Sequence, residues 1–346
     1  MPPWTPPERA LVTRVCRGAM RWTRRFALAA AAALASCGAP AKVEKAPRDI
    51  EIDRAVSLLE DAVPCWPREN ACFSCHNSGD AARALFAAER RGVSRASDSL
   101  TTTLAWLQRP DDWDHTKGDP AFSNRTLARL QFTAALVAAA AAGRLFDQGT
   151  LLRAGDLAAA LQAADGSFSI GADDVIGSPA TWGASLATAV TCRSLEAIDA
   201  GRFGETIERA RAWLRAAPIR SSLDASAVIL GLGPGRGGSR GLTASRRDEC
   251  LGWLERCRSD DGGISPYPTS APEAFDTAVA ILALQCLEPS PRILEWERSA
   301  REYLRATQEL DGGWPATTRP RGGVSYAQSI STTAWSLLAL LTSRGN

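Results

Sequence analysis

The stretch QELDGGW, Gln308–Trp314, decides the fold, because shorter copies of it recur along the chain. DGSF at Asp165–Phe168 and DGGI at Asp261–Ile264 share its Asp-Gly core. Each copy follows one helix-like segment and precedes another, which is the pattern of a repeat architecture. An apolar residue stands eight positions before each of the three aspartates: Leu157, Trp253 and Tyr303.

Three degenerate copies extend the repeat toward the N-terminus. Each is found by counting eight residues forward from the first member of an apolar pair. The pairs are Leu58-Leu59, Trp106-Leu107 and Trp213-Leu214. The chain then contains six units of about fifty residues each. The predicted positions that follow the first helix of each unit are Trp66, Asp114, Asp165, Ser221, Asp261 and Asp311.

The two helices of each unit differ in character. The first carries apolar residues on one stripe and charges on the other, whereas the second is nearly apolar all round, as in EAFDTAVAILALQCLE at 273–288. An amphipathic helix lies at a surface and an all-apolar helix is buried. We therefore expect an all-α fold in which six outer and six inner helices close into an (α/α)6 toroid.

The repeat motif and the starts of two inner helices resemble those of a known protein family. QELDGGW looks like the Q-x-x-D-G-x-W repeat of squalene-hopene cyclases, and DTAV at Asp276–Val279 and TTAW at Thr332–Trp335 look like their inner-helix starts. The resemblance runs from Asp49 to the C-terminus. It implies a toroid around a central cavity, a fold shared with protein prenyltransferase β subunits, and fold alone does not give function.

Neither family's chemistry carries over as a whole. The cyclases protonate an alkene with an aspartate of D-x-D-D-T-A, and EAFDTA at Glu273–Ala278 has Phe275 at that position. A phenyl ring is not a Brønsted acid, so we do not expect an active squalene cyclase, and whether the protein is an enzyme stays open. Asp276 is expected to cap its helix. Prenyltransferases hold zinc with a histidine far along the toroid, where this chain has none.

Two further sets of residues keep alternatives open. Four acids could form a glycosidase-like pair or be solvated turn and cap residues: Asp260, Asp261, Glu273 and Asp276. Four downstream thiols are interpreted as packing residues or unassigned pairs: Cys192, Cys250, Cys257 and Cys286.

CFSCH, at residues 72–76, is the motif with chemistry of its own. Thiols with this spacing can add to the two vinyl groups of a haem while the next histidine ligates the iron, so we predict covalent haem c on Cys72, Cys75 and His76. Two alternatives remain: zinc bound by the same residues together with Cys65, and a structural disulfide. The repeat map puts the motif in a loop at 65–78.

The sixth iron ligand is expected to be His115. It occupies the equivalent loop of the second unit, and loops of successive units lie side by side on one rim of a toroid. Both methionines precede Cys37, so a methionine ligand is excluded once the N-terminus is removed. If His115 does not bind, the site is open or held by water or Lys117.

The N-terminus is typical of an exported lipoprotein. Arginines precede the apolar run FALAAAAALAS at 26–36, which is too short to span a bilayer. LASC, Leu34–Cys37, resembles a bacterial lipobox. We predict a signal peptide over 1–36, lipid attachment at Cys37 and a tether over 38–48, followed by the toroid over 49–346.

Composition limits the partners. Forty basic and 38 acidic residues give a net charge of +2, and nothing indicates a nucleic-acid partner. We expect a periplasmic, membrane-anchored haem c protein that acts in electron transfer with an unknown redox partner, with a quinone or terpenoid in its cavity. The alternatives are an enzyme of unknown reaction with an auxiliary haem, and an interaction protein stapled by zinc or a disulfide.

Overall fold

A computed structural model describes residues 49–93, 97–115, 124–170, 177–233, 241–317, 319 and 324–342. The chain divides into a first unit, 1–50, and a second unit, 51–346, and the description below concerns the second. The predicted signal peptide over 1–36, the lipidated Cys37 and the tether over 38–48 lie outside the described residues.

The described part of the second unit is built mainly of helices, and these alternate along the chain between an outer and an inner type. A π-helical turn, Cys75–Ala81, leads directly into α2 and forms one inner helix with it. The helices are α1 (Ile50–Asn70), α2 (Ala82–Arg90), α3 (Ser97–Leu107), α4 (Arg125–Ala141), α5 (Gln148–Ala159), α6 (Gly183–Asp199), α7 (Gly204–Ala216), α8 (Ser222–Leu232), α9 (Ala244–Cys257), α10 (Ala274–Leu284), α11 (Pro291–Thr307) and α12 (Tyr326–Leu341).

The even-numbered helices form a closed inner ring. Each packs against the next, from α2 through α4, α6, α8 and α10 to α12, and α12 packs back against the π-helical turn and α2. The start of one inner helix meets the start of its neighbour: the Ser222 hydroxyl donates to Asp276, and the Ser185 hydroxyl donates to Asp224. The inner helices are therefore parallel, and the predicted all-α toroid is confirmed.

Burial separates the two types of helix as the sequence pattern predicts. In α8 nearly every residue is buried, whereas α9 buries only Cys250, Leu254 and Cys257. Burial raises the pKa of Cys250 to about 12 and that of Cys257 to about 11, so both thiols stay protonated within the core. Their predicted packing role agrees with this environment.

The Asp-Gly turns join neighbouring repeats. In the last turn, the Asp311 carboxylate accepts the Gly313 N–H at 3.0 Å, and Gln308 Nε2 donates to the Glu51 carbonyl of α1 at 2.8 Å. Gly312 has φ +96°, and a Cβ there would lie 2.5 Å from the Arg54 carbonyl oxygen. The last repeat is thus held against the first outer helix, which closes the outer layer.

The first two repeats depart from the template. The helix α1 continues through Pro64 and Pro67 to Asn70, so the prediction that Trp66 follows the first helix is wrong. The loop predicted over 65–78 is correspondingly short, because the π-helical turn already begins at Cys75. In the second repeat, a 3₁₀ turn, Pro110–His115, occupies the predicted position.

Candidate functional site

The CFSCH motif forms the start of the first inner helix. Ser74 caps it, since its hydroxyl oxygen accepts the Asn77 N–H at 3.0 Å. Cys72, Cys75 and His76 are all half-buried at this end of the helix. A π-helical turn is rare and is frequently found at functional sites.

The imidazole of His76 has one nitrogen engaged by the neighbouring inner helix. Its Nδ1 lies 3.2 Å from the hydroxyl oxygen of Ser331 in α12, and its Nε2 lies 3.4 Å from Cys75 Sγ. Burial lowers the pKa of His76 to about 4, so the ring is neutral at physiological pH. A neutral ring fixed through Nδ1, with Nε2 on the side of a motif thiol, fits an axial haem ligand.

The thiols of the motif are not grouped as zinc ligands in the described residues. Cys72 Sγ accepts the Trp66 indole N–H at 3.3 Å, and burial raises the pKa of Cys75 to about 12. Cys65 instead donates to the Glu69 carboxylate at 2.8 Å. Within the described ranges no three His, Cys, Asp or Glu side chains converge on a metal position, so the set required for zinc is not assembled there, and no disulfide joins the described cysteines.

The predicted partners of the motif are placed as follows. His115 ends the 3₁₀ turn of the second repeat, and its side chain and Lys117 lie outside the described part of the structure. Trp66 stacks on Tyr326 with ring centroids 5.3 Å apart, and the buried Trp113 meets the edge of Phe132 at 5.4 Å. Both indoles therefore pack against protein side chains.

A buried carboxylate follows His76 by one turn. Asp80 is 1% exposed, and its Oδ2 accepts N–H groups from Gln131 at 3.0 Å and from the Trp182 indole at 3.3 Å. Burial raises the pKa of Asp80 to about 6, an effect that the Arg83 charge and the side chains of Ser331 and Trp182 only partly offset. Ser331 thus lies between His76 and Asp80.

Arg83 lies one further turn along the helix, so that His76, Asp80 and Arg83 form a polar column on it. Its guanidinium carbon lies 4.1 Å from the ring centroid of Trp335 and 5.7 Å from that of Trp182. Burial lowers the pKa of Arg83, and the charge of Asp80 counteracts the shift. The cation is held over two aromatic faces, a favourable position for a guanidinium.

Arg83 also lines a cavity of about 280 Å³ inside the inner ring. The other walls come from α4, α6, α8 and α12, and they include Val137, Arg193, Leu230 and Trp335. Ligand pockets typically start near this size. His76, Asp80 and Arg83 follow one another along the first inner helix, from its N-terminal end to the cavity.

The region that resembles the cyclase acid motif is a buried ion pair. The Asp276 carboxylate accepts from Arg319 Nη2 at 2.7 Å, and burial raises its pKa to about 6. The predicted capping role of Asp276 is wrong, because Glu273 occupies the N-cap without a side-chain capping bond. Phe275, at the proton-donor position, is fully buried and meets the edge of Trp335.

Sequence reasoning missed the polar column and the cavity arginines. The available signal was a charge within the mostly apolar stretch of an inner helix: Asp80 and Arg83 in the first inner helix, and Arg193 in the third. Trp182 gave no comparable signal, because its contact with Asp80 joins residues far apart in the sequence.

No family model and no curated protein matches the chain. Solved structures do. The type II terpene cyclase MstE from Scytonema superposes with a TM-score of 0.55 at 15% identity, over 84% of this chain and 97% of that one. An MstE variant bound to its substrate, geranylgeranyl dihydroxybenzoate, gives the same TM-score and identity over 84% of this chain and 96% of that one.

A second enzyme extends the likeness. The ent-copalyl diphosphate synthase from Streptomyces platensis matches with a TM-score of 0.51 at 17% identity, over 77% of this chain and 50% of that one. At these identities the likeness concerns the fold alone, and it agrees with the closed ring of inner helices. The chain therefore has the α/α toroid fold of the terpene cyclases.

Proposed function

We propose that this protein is a haem c protein of the bacterial cell envelope, anchored through lipid on Cys37 and acting in electron transfer. The haem is attached to Cys72 and Cys75 and ligated by His76, with His115 as the sixth ligand. The redox partner is unknown, and the toroid cavity binds an apolar molecule of the quinone or terpenoid class. The protein does not act as a squalene cyclase, since Phe275 replaces the proton donor.

One observation carries the proposal: the placement of His76. Its Nδ1 faces the Ser331 hydroxyl at 3.2 Å, and its pKa is lowered to about 4. Fixing the second ring nitrogen sets the orientation of a ligating imidazole, and the neutral form is the one that binds metal. The motif residues are also half-buried, so a group at this end of the helix is not covered by the core.

The residues around the motif have separate roles in this proposal. A covalently bound haem supplies one-electron chemistry, and its potential depends on the axial ligands and on burial. Ser331 orients the imidazole of His76. The cap formed by Ser74 holds the thiol of Cys75 and the imidazole on the same helical turn. Cys72 precedes this turn, and its Sγ accepts the Trp66 indole N–H.

The test is a reduced-minus-oxidised visible spectrum combined with a haem stain after denaturing electrophoresis. The protein is produced with its own N-terminus in a bacterial strain that matures c-type cytochromes. We expect a stained band and a low-spin spectrum. Cys72→Ser and Cys75→Ser each weaken or abolish the stain, and Cys286→Ser, which removes another half-buried thiol, serves as the matched control.

The ligands are tested separately. His76→Ala leaves the thiols in place and changes the ferric spectrum, and His115→Ala converts it from low spin to high spin if His115 is the sixth ligand. A colourless protein that contains zinc contradicts the proposal and supports a structural zinc site. A Cys72–Cys75 disulfide found by mass spectrometry contradicts it and supports a structural disulfide.

Asp80 favours a second candidate, an enzyme that transfers a proton next to the cavity, since Asp80 lies one turn from Arg83 and is not itself in the cavity wall. A buried carboxyl with a pKa of about 6 keeps a proton close to neutral pH and can act as a general acid. Trp182 and Trp335 surround the adjacent Arg83 with aromatic faces, which stabilise cations. An acid supplied by Asp80 would take the place of the one missing at Phe275.

The second candidate is tested by incubating the purified protein with squalene and, separately, with geranylgeranyl dihydroxybenzoate. Products are then analysed by mass spectrometry and chromatography. An acid role predicts an isomeric product that disappears in Asp80→Asn, while Asp276→Asn retains it. Unchanged substrate with both compounds contradicts cyclisation of these two substrates and leaves the haem proposal unaffected.

A further inference from the structure

The cavity inside the inner ring has two cationic side chains in an otherwise mostly apolar wall. Arg83 enters from α2 and Arg193 from α6, with Ser194 beside the latter, while Val137, Leu230 and Trp335 represent the apolar part. None of the residues that line the cavity carries a carboxylate. Two half-buried guanidinium groups on one small cavity favour a negative charge there.

Arg83 is oriented by an aromatic ring rather than by a carboxylate. Its guanidinium lies over Trp335 at 4.1 Å, and within the described part of the chain it makes neither a hydrogen bond nor an ion pair closer than 4.0 Å. The charge of Asp80 acts on Arg83, but no hydrogen bond joins the two: Asp80 Oδ2 accepts from Gln131 and Trp182, and Oδ1 has no hydrogen-bond partner among the described residues. The donors of Arg83 are therefore available to another acceptor.

Arg193 is positioned through one of its two terminal nitrogens. Nη1 donates to the Leu230 carbonyl at 2.9 Å and to Cys286 Sγ at 3.0 Å. Among the described residues, neither Nη2 nor Nε has an acceptor. A guanidinium fixed at one end, with a free edge toward a cavity, is suited to bind a carboxylate or phosphate through two parallel hydrogen bonds.

We infer that the cavity binds an anionic amphiphile: a single acyl or prenyl chain ending in a carboxylate or phosphate, with its head on Arg83 and Arg193. The apolar wall formed by Val137, Leu230 and the face of Trp335 takes the chain. This rests on the cavity-binding part of the proposed function and not on the haem: it narrows the apolar ligand proposed there to one with an anionic head and excludes a neutral quinone. A neutral quinone or hydrocarbon leaves both cations unpaired.

The test measures binding to the purified, matured protein by isothermal titration calorimetry. The probes are dodecanoate and dodecyl phosphate, each below its micelle concentration, dodecanol below its solubility limit, and inorganic phosphate. We expect at least one of the two anionic probes to bind at least tenfold more tightly than dodecanol, because each guanidinium supplies charge-assisted hydrogen bonds. Which of the two binds more tightly tells whether the natural head is a carboxylate or a phosphate.

Variants assign the head-binding role. Arg83→Gln and Arg193→Gln each lower the affinity for the anionic probe about tenfold or more and leave the affinity for dodecanol unchanged. Arg83→Lys keeps the positive charge and retains part of the affinity if Arg83→Gln fails to fold. Arg298→Gln on the outer helix α11, where the arginine side chain is 63% exposed, is the matched control and has no effect.

Three results overturn the inference. Equal affinity for dodecanol and the anionic probes means that the cavity selects only for apolar chains. Binding of inorganic phosphate as tightly as dodecyl phosphate means that the site takes a free anion. Absence of binding by all probes means that the cavity is not a ligand site. Repeating the titration with the Cys72→Ser/Cys75→Ser double variant separates each result from failure of the haem proposal.

Discussion

Trp182 has a backbone conformation that a bulky residue rarely adopts. It has φ 60° and ψ −34° at the N-cap of α6, and it is fully buried. Such a conformation costs about 1–3 kcal/mol, and it persists only where the surroundings impose it. The result is that the indole N–H reaches Asp80 Oδ2 at 3.3 Å. Backbone strain at this residue is thus associated with the placement of a donor on the buried carboxylate.

Trp182→Phe tests that association. It keeps an aromatic ring and removes the N–H, so we expect the pKa of Asp80 to rise further and the free energy of unfolding at pH 7 to fall by about 1–2 kcal/mol. Urea unfolding measures the second effect. A variant as stable as the parent would show that the indole N–H does not stabilise the Asp80 carboxylate.

Asp80→Asn tests the pH dependence of stability. The folded pKa of about 6 lies above the ordinary 3.8, so the native state holds the proton more tightly than the unfolded state. This contribution to stability is present at low pH and is lost as pH rises from about 4 to about 6, by at most about 3 kcal/mol. We expect the variant to flatten that part of the curve of unfolding free energy against pH.

Asp276 has a pKa raised in the same direction, so it provides the comparison. Asp276→Asn flattens the same window independently, and the two effects add if the sites do not interact. A curve for Asp80→Asn that keeps the full slope of the parent contradicts the raised pKa of Asp80.

The turn between α11 and α12 is the element that joins the last repeat to the first. Gly312 has φ +96°, and a Cβ would lie 2.5 Å from the carbonyl oxygen of Arg54 in α1. Gly92, after α2, has φ +70°, but a Cβ there would meet nothing within 4 Å. The two glycines therefore separate the cost of the backbone conformation from the cost of the contact.

We expect Gly312→Ala to lower the free energy of unfolding by about 2–4 kcal/mol and Gly92→Ala by only about 1–2 kcal/mol. Thermal and urea unfolding of both variants check the difference. Equal losses would show that α1 moves aside without cost, and that this turn does not hold the outer layer closed.

The sequence predicts these elements where the information is local. At Asp165, Asp261 and Asp311 the side chain bonds within its own turn, so a short motif contains everything that specifies the turn. At Trp66 that local signal is missing, and prolines that ordinarily end a helix lie inside α1 instead. There, Asn77 Nδ2 of the π-helical turn donates to the Ala62 carbonyl of α1 at 3.0 Å, a contact that no local motif specifies.

At the scale of the whole molecule, the toroid is a ring rather than an open stack. The inner helix α12 packs against both α10 and the first inner helix, and Gln308 Nε2 reaches the Glu51 carbonyl at 2.8 Å. Residues more than 200 positions apart thus share one core, as His76 and Ser331 show. The ring and the CFSCH motif could be predicted from local sequence patterns. The polar column of His76, Asp80 and Arg83 and the cavity could not, because they depend on such long-range contacts.

Ring closure makes the stability of the repeats interdependent. Removing α11 and α12 leaves an apolar face on α10 and another on α2, so we expect a chain ending before Pro291 to lose cooperative urea unfolding. Circular dichroism and tryptophan fluorescence follow the transition, with residues 49–346 as the control. A shortened chain that unfolds in one sharp transition, with a proportionally smaller denaturant dependence, contradicts the closed ring.

The parallel arrangement of the inner helices also has an electrostatic consequence. Each helix carries a macrodipole with partial positive charge at its N-terminus, and parallel neighbours bring those ends together on one rim. Asp224 and Asp276 lie in first turns at that rim, on the side where the partial charge is positive. The outer helices run in the opposite direction and compensate at a distance. Close to CFSCH the field persists, and it favours electron-rich and anionic groups at that end of the ring.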